Sequence, residues 1–184
     1  LSTDPDAFKD RVALEHTGIM GHSRGGEGAR AALTQYQDAG SPWPAKIPGL
    51  KIEAIYEIGA VDGQTDRTLD AKGVAWNQLL PACDGDVYNL QGANPFDRML
   101  KDPTEPESAQ KSLTLVFGAN HNFFNSEWQR SDASASRCFN HTPIFDSTPW
   151  VSNKQMKVNL ELMSHFFRAH VGENKDLKLS QIFD

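Results

Sequence analysis

The segment Gly21-His22-Ser23-Arg24-Gly25 constrains this chain more than any other feature. It follows the short apolar run 17–20 and precedes a helical pattern over 25–37. A Gly-x-Ser-x-Gly turn between a strand and a helix is typical of a nucleophilic serine, because the tight turn lifts the hydroxyl clear of the sheet. The sequence therefore predicts Ser23 as a nucleophile and the backbone N–H of Arg24 as a donor to an oxyanion. The alternative is a glycine-rich turn in which Ser23 is a plain helix N-cap.

The rest of the chain alternates apolar runs with helical patterns, which predicts an α/β fold class: a mostly parallel sheet with helices on both faces. Its 184 residues suit one domain, which we expect over 1–172, followed by a peripheral tail over 173–184. Four strands and two long helices are predicted, at 17–20, 52–58, 78–82 and 112–117, and at 25–37 and 154–170.

A serine of this kind requires a base and a carboxylate in the chain order Ser, Asp, His, each at the end of a later strand. Asp84 and Asp86 follow the third predicted strand, and His121 follows the fourth. We predict His121 as the general base and Asp86 as the carboxylate that orients it. Asp84 stays open as the rival, with capping of the local turn as its other role. His141, in the loop 131–151, is the competing base.

Charge and composition exclude several classes of function. The chain has 18 Lys and Arg against 24 Asp and Glu, a formal net charge of -6, and no basic cluster that would favour nucleic acid. Its apolar stretches are far shorter than the roughly 20 residues of a membrane span. The oxygen-rich segment 62–66 lacks the later glutamate of a calcium loop, so we interpret it as a polar loop. The predicted chemistry needs no metal and no organic cofactor.

The run Gly21-His22-Ser23-Arg24-Gly25-Gly26 resembles the lipase motif of chlorophyllase-like and cutinase-like serine esterases in the α/β-hydrolase superfamily. The segment Ala82-Cys83-Asp84-Gly85-Asp86 is similar to the acid-bearing loop of some polyester hydrolases, whose acid stands in the last position. The resemblance covers about residues 12 to 171 and favours Asp86. It implies hydrolysis of a carboxylic ester, small or polymeric, through an acyl-enzyme.

The family fold usually has eight strands with the serine turn after the fifth, and this sequence starts just before that strand. The resemblance implies a preceding half of the fold, in a longer protein or as another chain. That half would supply the second oxyanion N–H and part of the acyl pocket. Without it, the strand before Ser23 would have an open edge that invites pairing.

Three further expectations concern the surroundings of the site. In some polyester-degrading relatives a disulfide joins the acid and base loops, which implies a bridge between Cys83 and Cys138; two buried free thiols are the alternative. Such a bridge would indicate a secreted or periplasmic protein. His22 and Phe123 are candidate substrate contacts, although core packing is an equal alternative for Phe123.

Two other functions remain open at this point. An amidase or peptidase could use the same triad, and a hydrolase-like binding module could keep the pocket without turnover.

Overall fold

The computed structural model describes residues 11–66, 68–87, 89–125, 132 and 149–172, with side chains of the last helix from 154 onward. The predicted tail and two residues considered above, Cys138 and His141, lie outside the described residues.

Within the described residues, four parallel strands form one sheet in the order β1-β2-β3-β4, which confirms the α/β class. Parallel neighbours need crossover connections, and helices occupy these. In chain order the elements are β1 (Thr17–His22), α1 (Arg24–Gln37), α2 (Trp43–Lys46), β2 (Ile52–Ile58), β3 (Ala75–Pro81), α3 (Ala93–Leu100), β4 (Lys111–Val116) and α4 (Pro149–His170).

Two short helices, α2 and α3, were not predicted, and β3 starts three residues before the predicted strand. The loop 38–44 contains glycine and two prolines, which argue against a helix, yet its end begins the four-residue α2. All seven residues of β3 are buried, Asn77 and Gln78 included, so the strand shows no alternation of polar and apolar residues to mark its start.

Helices cover both faces of the sheet. One face packs α1 and α3 on the inner strands through Leu33, Ile55, Trp76 and Met99. Side chains alternate between the two faces along each strand, so the remaining side chains of the strands point to the opposite face. Helix α4 packs on that face. Its core residues include Tyr56, Leu79 and Phe166. Each large apolar side chain buried in this way stabilises the fold by about 1.5–3 kcal/mol.

Because the strands are parallel, their carboxyl ends meet at one edge of the sheet. Four residues that follow β1, β2, β3 and β4 therefore gather there: Ser23, Gly59, Asp84 and His121. β1 is the outer strand on one side of the described sheet, and Met20 on it is 46% exposed. No helix in the described part of the chain is long and apolar enough to cross a membrane.

Candidate active site

The turn around Ser23 has the strained geometry that the sequence predicts. Ser23 adopts φ 58° and ψ −123°, a backbone conformation that non-glycine residues rarely occupy. A Cβ on Gly21 would lie 2.1 Å from the carbonyl oxygen of Gly25, and one on Gly26 would lie 2.4 Å from the Cβ of Ala60. Glycine at 21 and 26 is therefore a steric requirement of the turn.

Backbone hydrogen bonds fix the serine turn to the end of β2. The N–H of Ser23 donates to the carbonyl of Ile58 (2.9 Å), and the Ser23 carbonyl accepts from Gly26 (3.1 Å) and Val61 (3.3 Å). Ser23 stands at the N-cap of α1, but its side chain makes no capping hydrogen bond, which disfavours the plain N-cap alternative. Arg24 is the first residue of α1, so its N–H belongs to the first turn, whose donors lack intrahelical acceptors.

Asp84, rather than the predicted Asp86, pairs with His121. The Nδ1 of His121 lies 2.7 Å from Oδ2 of Asp84, and the two residues are 2% and 3% exposed. The other oxygen of Asp84 accepts the N–H groups of Asp86 (2.8 Å) and Val87, so the turn after β3 orients the carboxylate. Asp86 instead accepts a hydrogen bond from Nδ2 of Asn122 at 3.0 Å. The prediction for Asp86 is corrected because the turn directs the earlier side chain at the histidine.

The charges around His121 favour its protonated form. Burial acts to lower the pKa of His121, but the hydrogen bond to Asp84 and the negative charges of Asp84, Asp86 and Asp132 outweigh it and raise the pKa above 6.5. The pKa of His22 shifts the other way, since burial and the neighbouring charge of His121 lower it. At neutral pH the site can therefore hold an imidazole of raised basicity beside a neutral one.

His22 joins the serine turn directly to the base. Its Nε2–H donates to the carbonyl of His121 at 3.0 Å, and the two rings lie 4.5 Å apart between centroids. The residue before Ser23 thus contacts the residue proposed to activate it. Phe123 is only 3% exposed, which favours the packing alternative for this side chain.

The loop that carries His121, residues 118–125, is called the base loop here. Gln155 of α4, itself 2% exposed, accepts the N–H of Asn120 (3.0 Å) and donates to its carbonyl (3.2 Å). The side chain of Asn120 accepts the N–H of Phe123 at 3.1 Å. The last helix therefore positions the base loop through a buried amide pair.

The loop that carries Asp84, residues 82–87, is called the acid loop. Its Cys83 N–H donates to the carbonyl of Ala119 in the base loop at 2.9 Å. Cys83 is disulfide-bonded, and the chain has one other cysteine, Cys138, which lies outside the described residues.

Gly59, after β2, allows the acid and the base to approach each other. It has φ +51°, and a Cβ there would lie 3.1 Å from Nδ1 of His121 and 3.2 Å from Oδ2 of Asp84. Both the backbone conformation and the close approach suit glycine.

A buried ionic network supports the loop that follows β2. Arg30 of α1, fully buried, donates to Glu57 (2.9 Å) and to Asp62 (3.0 Å). Asp62 also accepts from Arg98 at 2.8 Å. Burial acts to raise the pKa of Asp62, but the hydrogen bonds and charges of the two arginines outweigh it and lower the pKa. The Asp62 carboxylate is thus engaged by arginines, which supports a polar loop over a calcium loop.

Sequence reasoning missed Gly59, Asp132, Gln155 and Arg30. Of these, only Arg30 could have been predicted from the sequence. Glu57 is a charged residue inside the apolar run of β2, and a buried carboxylate requires a cationic partner, which Arg30 supplies. The other three act through loop contacts that no periodicity reveals.

Comparison with known proteins adds little to this geometry. No protein-family model matches the chain, and no curated protein does. A solved structure from Agrobacterium vitis S4, whose hydrolase activity is itself an inference, is similar with 13% identity and a TM-score of 0.45. The match covers 83% of this chain and 63% of that one, so the chain spans less than two thirds of that neighbour. A likeness this distant carries no information about substrate or mechanism.

Proposed function

We propose that this chain is a serine hydrolase that cleaves carboxylic esters through an acyl-enzyme. Ser23 is the nucleophile, His121 the general base, Asp84 the orienting carboxylate and the N–H of Arg24 an oxyanion donor. The observation that carries the proposal is the strained backbone of Ser23, whose neighbour His22 contacts the buried Asp84–His121 pair. Strain of this kind persists where the surrounding structure enforces it, and it is concentrated at active sites.

The hydrogen bond to Asp84 defines the chemistry of His121. A carboxylate can only accept, so Nδ1 of His121 carries the hydrogen and Nε2 keeps its lone pair. Nε2 then takes the proton of Ser23 as the hydroxyl oxygen bonds to the ester carbon. It returns that proton to the departing alcohol, which leaves the acyl group on Ser23. Water activated by the same nitrogen releases the acid and restores the serine.

The N-terminus of α1 suits the oxyanion that forms in this reaction. The Arg24 N–H lies in the first turn of the helix, where the dipole is positive, and negative charge is stabilised there. His22 is half-buried at the serine turn and is the proposed substrate contact, whereas Phe123 is buried within the base loop. An ester, small or polymeric, is the proposed substrate.

The disulfide at Cys83 supports a location outside the cytosol. Structural disulfides persist in oxidising compartments, so we assign the protein to secretion or to the periplasm as part of the same proposal.

A fluorophosphonate, which phosphonylates activated serines, tests the nucleophile. We expect the intact mass of the wild-type protein to increase by one adduct and that of Ser23→Ala to remain unchanged. Ser41→Ala is the matched control, because Ser41 lies beyond the far end of α1, about 20 Å of helix away. An adduct that persists in Ser23→Ala, or no adduct on folded wild type, would contradict the proposal.

Matched substrates separate the ester reaction from its alternatives. An acyl p-nitrophenyl ester and the corresponding anilide share their acyl group, so their kcat/KM ratio measures the preference for ester over amide. Faster cleavage of the anilide would favour an amidase. Saturable binding of the ester without any turnover or adduct would favour a binding module.

A further inference from the structure

Asp132 lies outside the proposed triad and accepts hydrogen bonds from the backbone of both loops that carry Asp84 and His121. One carboxylate oxygen, Oδ2, accepts the N–H groups of Gly85 (2.8 Å) and His121 (2.9 Å). The other oxygen, Oδ1, accepts the N–H of Asn122 at 3.0 Å. Three backbone donors thus converge on a single side chain.

These donors belong to two different loops. Gly85 follows Asp84 directly in the acid loop, while His121 and Asn122 are consecutive in the base loop. A single carboxylate therefore connects the backbone next to the acid with the backbone of the base itself. The distance between Asp84 and the ring of His121 depends on how these two loops are held.

We propose that Asp132 is a positioning residue that clamps the acid loop to the base loop and so holds Asp84 and His121 at reacting distance. The inference rests on the proposed function, because it assigns Asp132 to the same triad. It adds a fourth residue, a second carboxylate, to the three residues of the triad. In the sequence this residue lies between the base loop and α4.

A carboxylate is required because the clamp accepts three hydrogen bonds and donates none. An asparagine has a single carbonyl oxygen, which can replace Oδ2 and keep two bonds or replace Oδ1 and keep one. Its amide group would then face a backbone N–H, and two donors would oppose each other. Asp132→Asn can therefore keep the two bonds that join the loops, whereas Asp132→Ala removes all three acceptors and breaks the clamp.

Asp132 also contributes to the charge at His121. Among the residues that the structure describes, the titratable groups that face this ring are Asp84, Asp86, Asp132 and His22, and the three carboxylates all raise the pKa of His121. Burial raises the pKa of Asp132 itself, and the backbone N–H groups that it accepts oppose that rise.

The test compares Asp132→Ala with Asp86→Asn. Each substitution removes one negative charge near His121, but the carbonyl of an asparagine at 86 can still accept the hydrogen bond from Asn122. We expect both to lower the pKa of His121, measured by NMR titration of its ring. Only Asp132→Ala should slow fluorophosphonate labelling of Ser23 on the high-pH plateau, by about 10- to 100-fold, since small misplacements of reacting groups cost this much.

The outcomes separate the clamp from the hydrolase proposal. Absence of labelling in the wild type contradicts the function, whereas equal plateau rates for the wild type and Asp132→Ala contradict the clamp alone. If Asp132→Ala does not fold, amide exchange in the wild type provides the test. The N–H groups of Gly85, His121 and Asn122 should exchange at least about 100-fold more slowly than in a peptide, and exchange at peptide rates overturns the clamp.

Discussion

Replacing Gly59 with alanine tests how closely the acid and base depend on the backbone beside them. The new methyl group would stand 3.1 Å from Nδ1 of His121 and 3.2 Å from Oδ2 of Asp84. Ordinary contacts of a methyl carbon lie near 3.5–4.0 Å, so the pair must move by roughly half an ångström. If a displacement of 1 Å costs about 100-fold in rate, half of it costs about tenfold.

The backbone conformation adds a second cost, which must be separated from the first. Gly59 has φ +51°, and an alanine in this left-handed region loses about 1–2 kcal/mol of stability. Gly49 has φ +83°, and no heavy atom lies within 4 Å of the position that a methyl group would take there, so Gly49→Ala carries the backbone strain alone.

Urea unfolding and ester hydrolysis measure the two costs independently. Both variants should lose about 1–2 kcal/mol of unfolding free energy, and only Gly59→Ala should lose about tenfold in kcat/KM. Equal activity of Gly59→Ala and Gly49→Ala would refute the view that the backbone at 59 limits the approach of Asp84 and His121.

Three other predictions concern charge. Asp84→Asn places an amide donor against Nδ1 of His121 and favours the tautomer in which Nε2 carries the hydrogen and cannot act as a base. In steady-state ester assays kcat should fall about 10³–10⁴-fold for Asp84→Asn and less than about tenfold for Asp86→Asn. His121 must be neutral to act as a base, and its pKa is raised above 6.5. The rate of serine labelling should therefore fall as pH decreases, with a midpoint above 6.5. A midpoint below 6.5 in a pH–rate profile would contradict this. Arg30→Met leaves Glu57 buried without its cation and should cost about 3–5 kcal/mol in denaturant unfolding, less if Glu57 takes up a proton.

The strands and the serine turn could be predicted from the sequence because their causes are local. Residues 52–58 form one apolar run that becomes β2 unchanged, and the glycines at 21 and 26 are required by contacts within the turn and with the next strand. Helix α3 was not predicted because its eight residues carry only a short apolar pattern between polar loops.

The choice between Asp84 and Asp86 could not be made from the sequence because it depends on how a turn is closed. The two carboxylates are two residues apart and both follow β3, so strand order and chain order treat them alike. What separates them is that Asp84 accepts the N–H groups of Asp86 and Val87, which fixes one oxygen in the turn and leaves the other for His121. The resemblance to polyester hydrolases favoured the last position of the segment, whereas the carboxylate that contacts His121 in the structure is that of Asp84.

The hydrogen bonds around the triad show a common arrangement. The proposed acid, base and nucleophile lie on three separate loops, and each loop is held by other groups. Gln155 and Asp132 hold the base loop, Asp132 also holds the acid loop, and His22 connects His121 to the serine turn. A triad requires distances within tenths of an ångström, while loops at the edge of a sheet are its least constrained segments. The structure resolves this conflict with buried and half-buried side chains that bond to loop backbone, because backbone positions determine where the reacting side chains lie. Substitutions at Gln155 and Asp132 should therefore lower kcat more than they raise KM, which distinguishes these two residues from residues that bind the substrate.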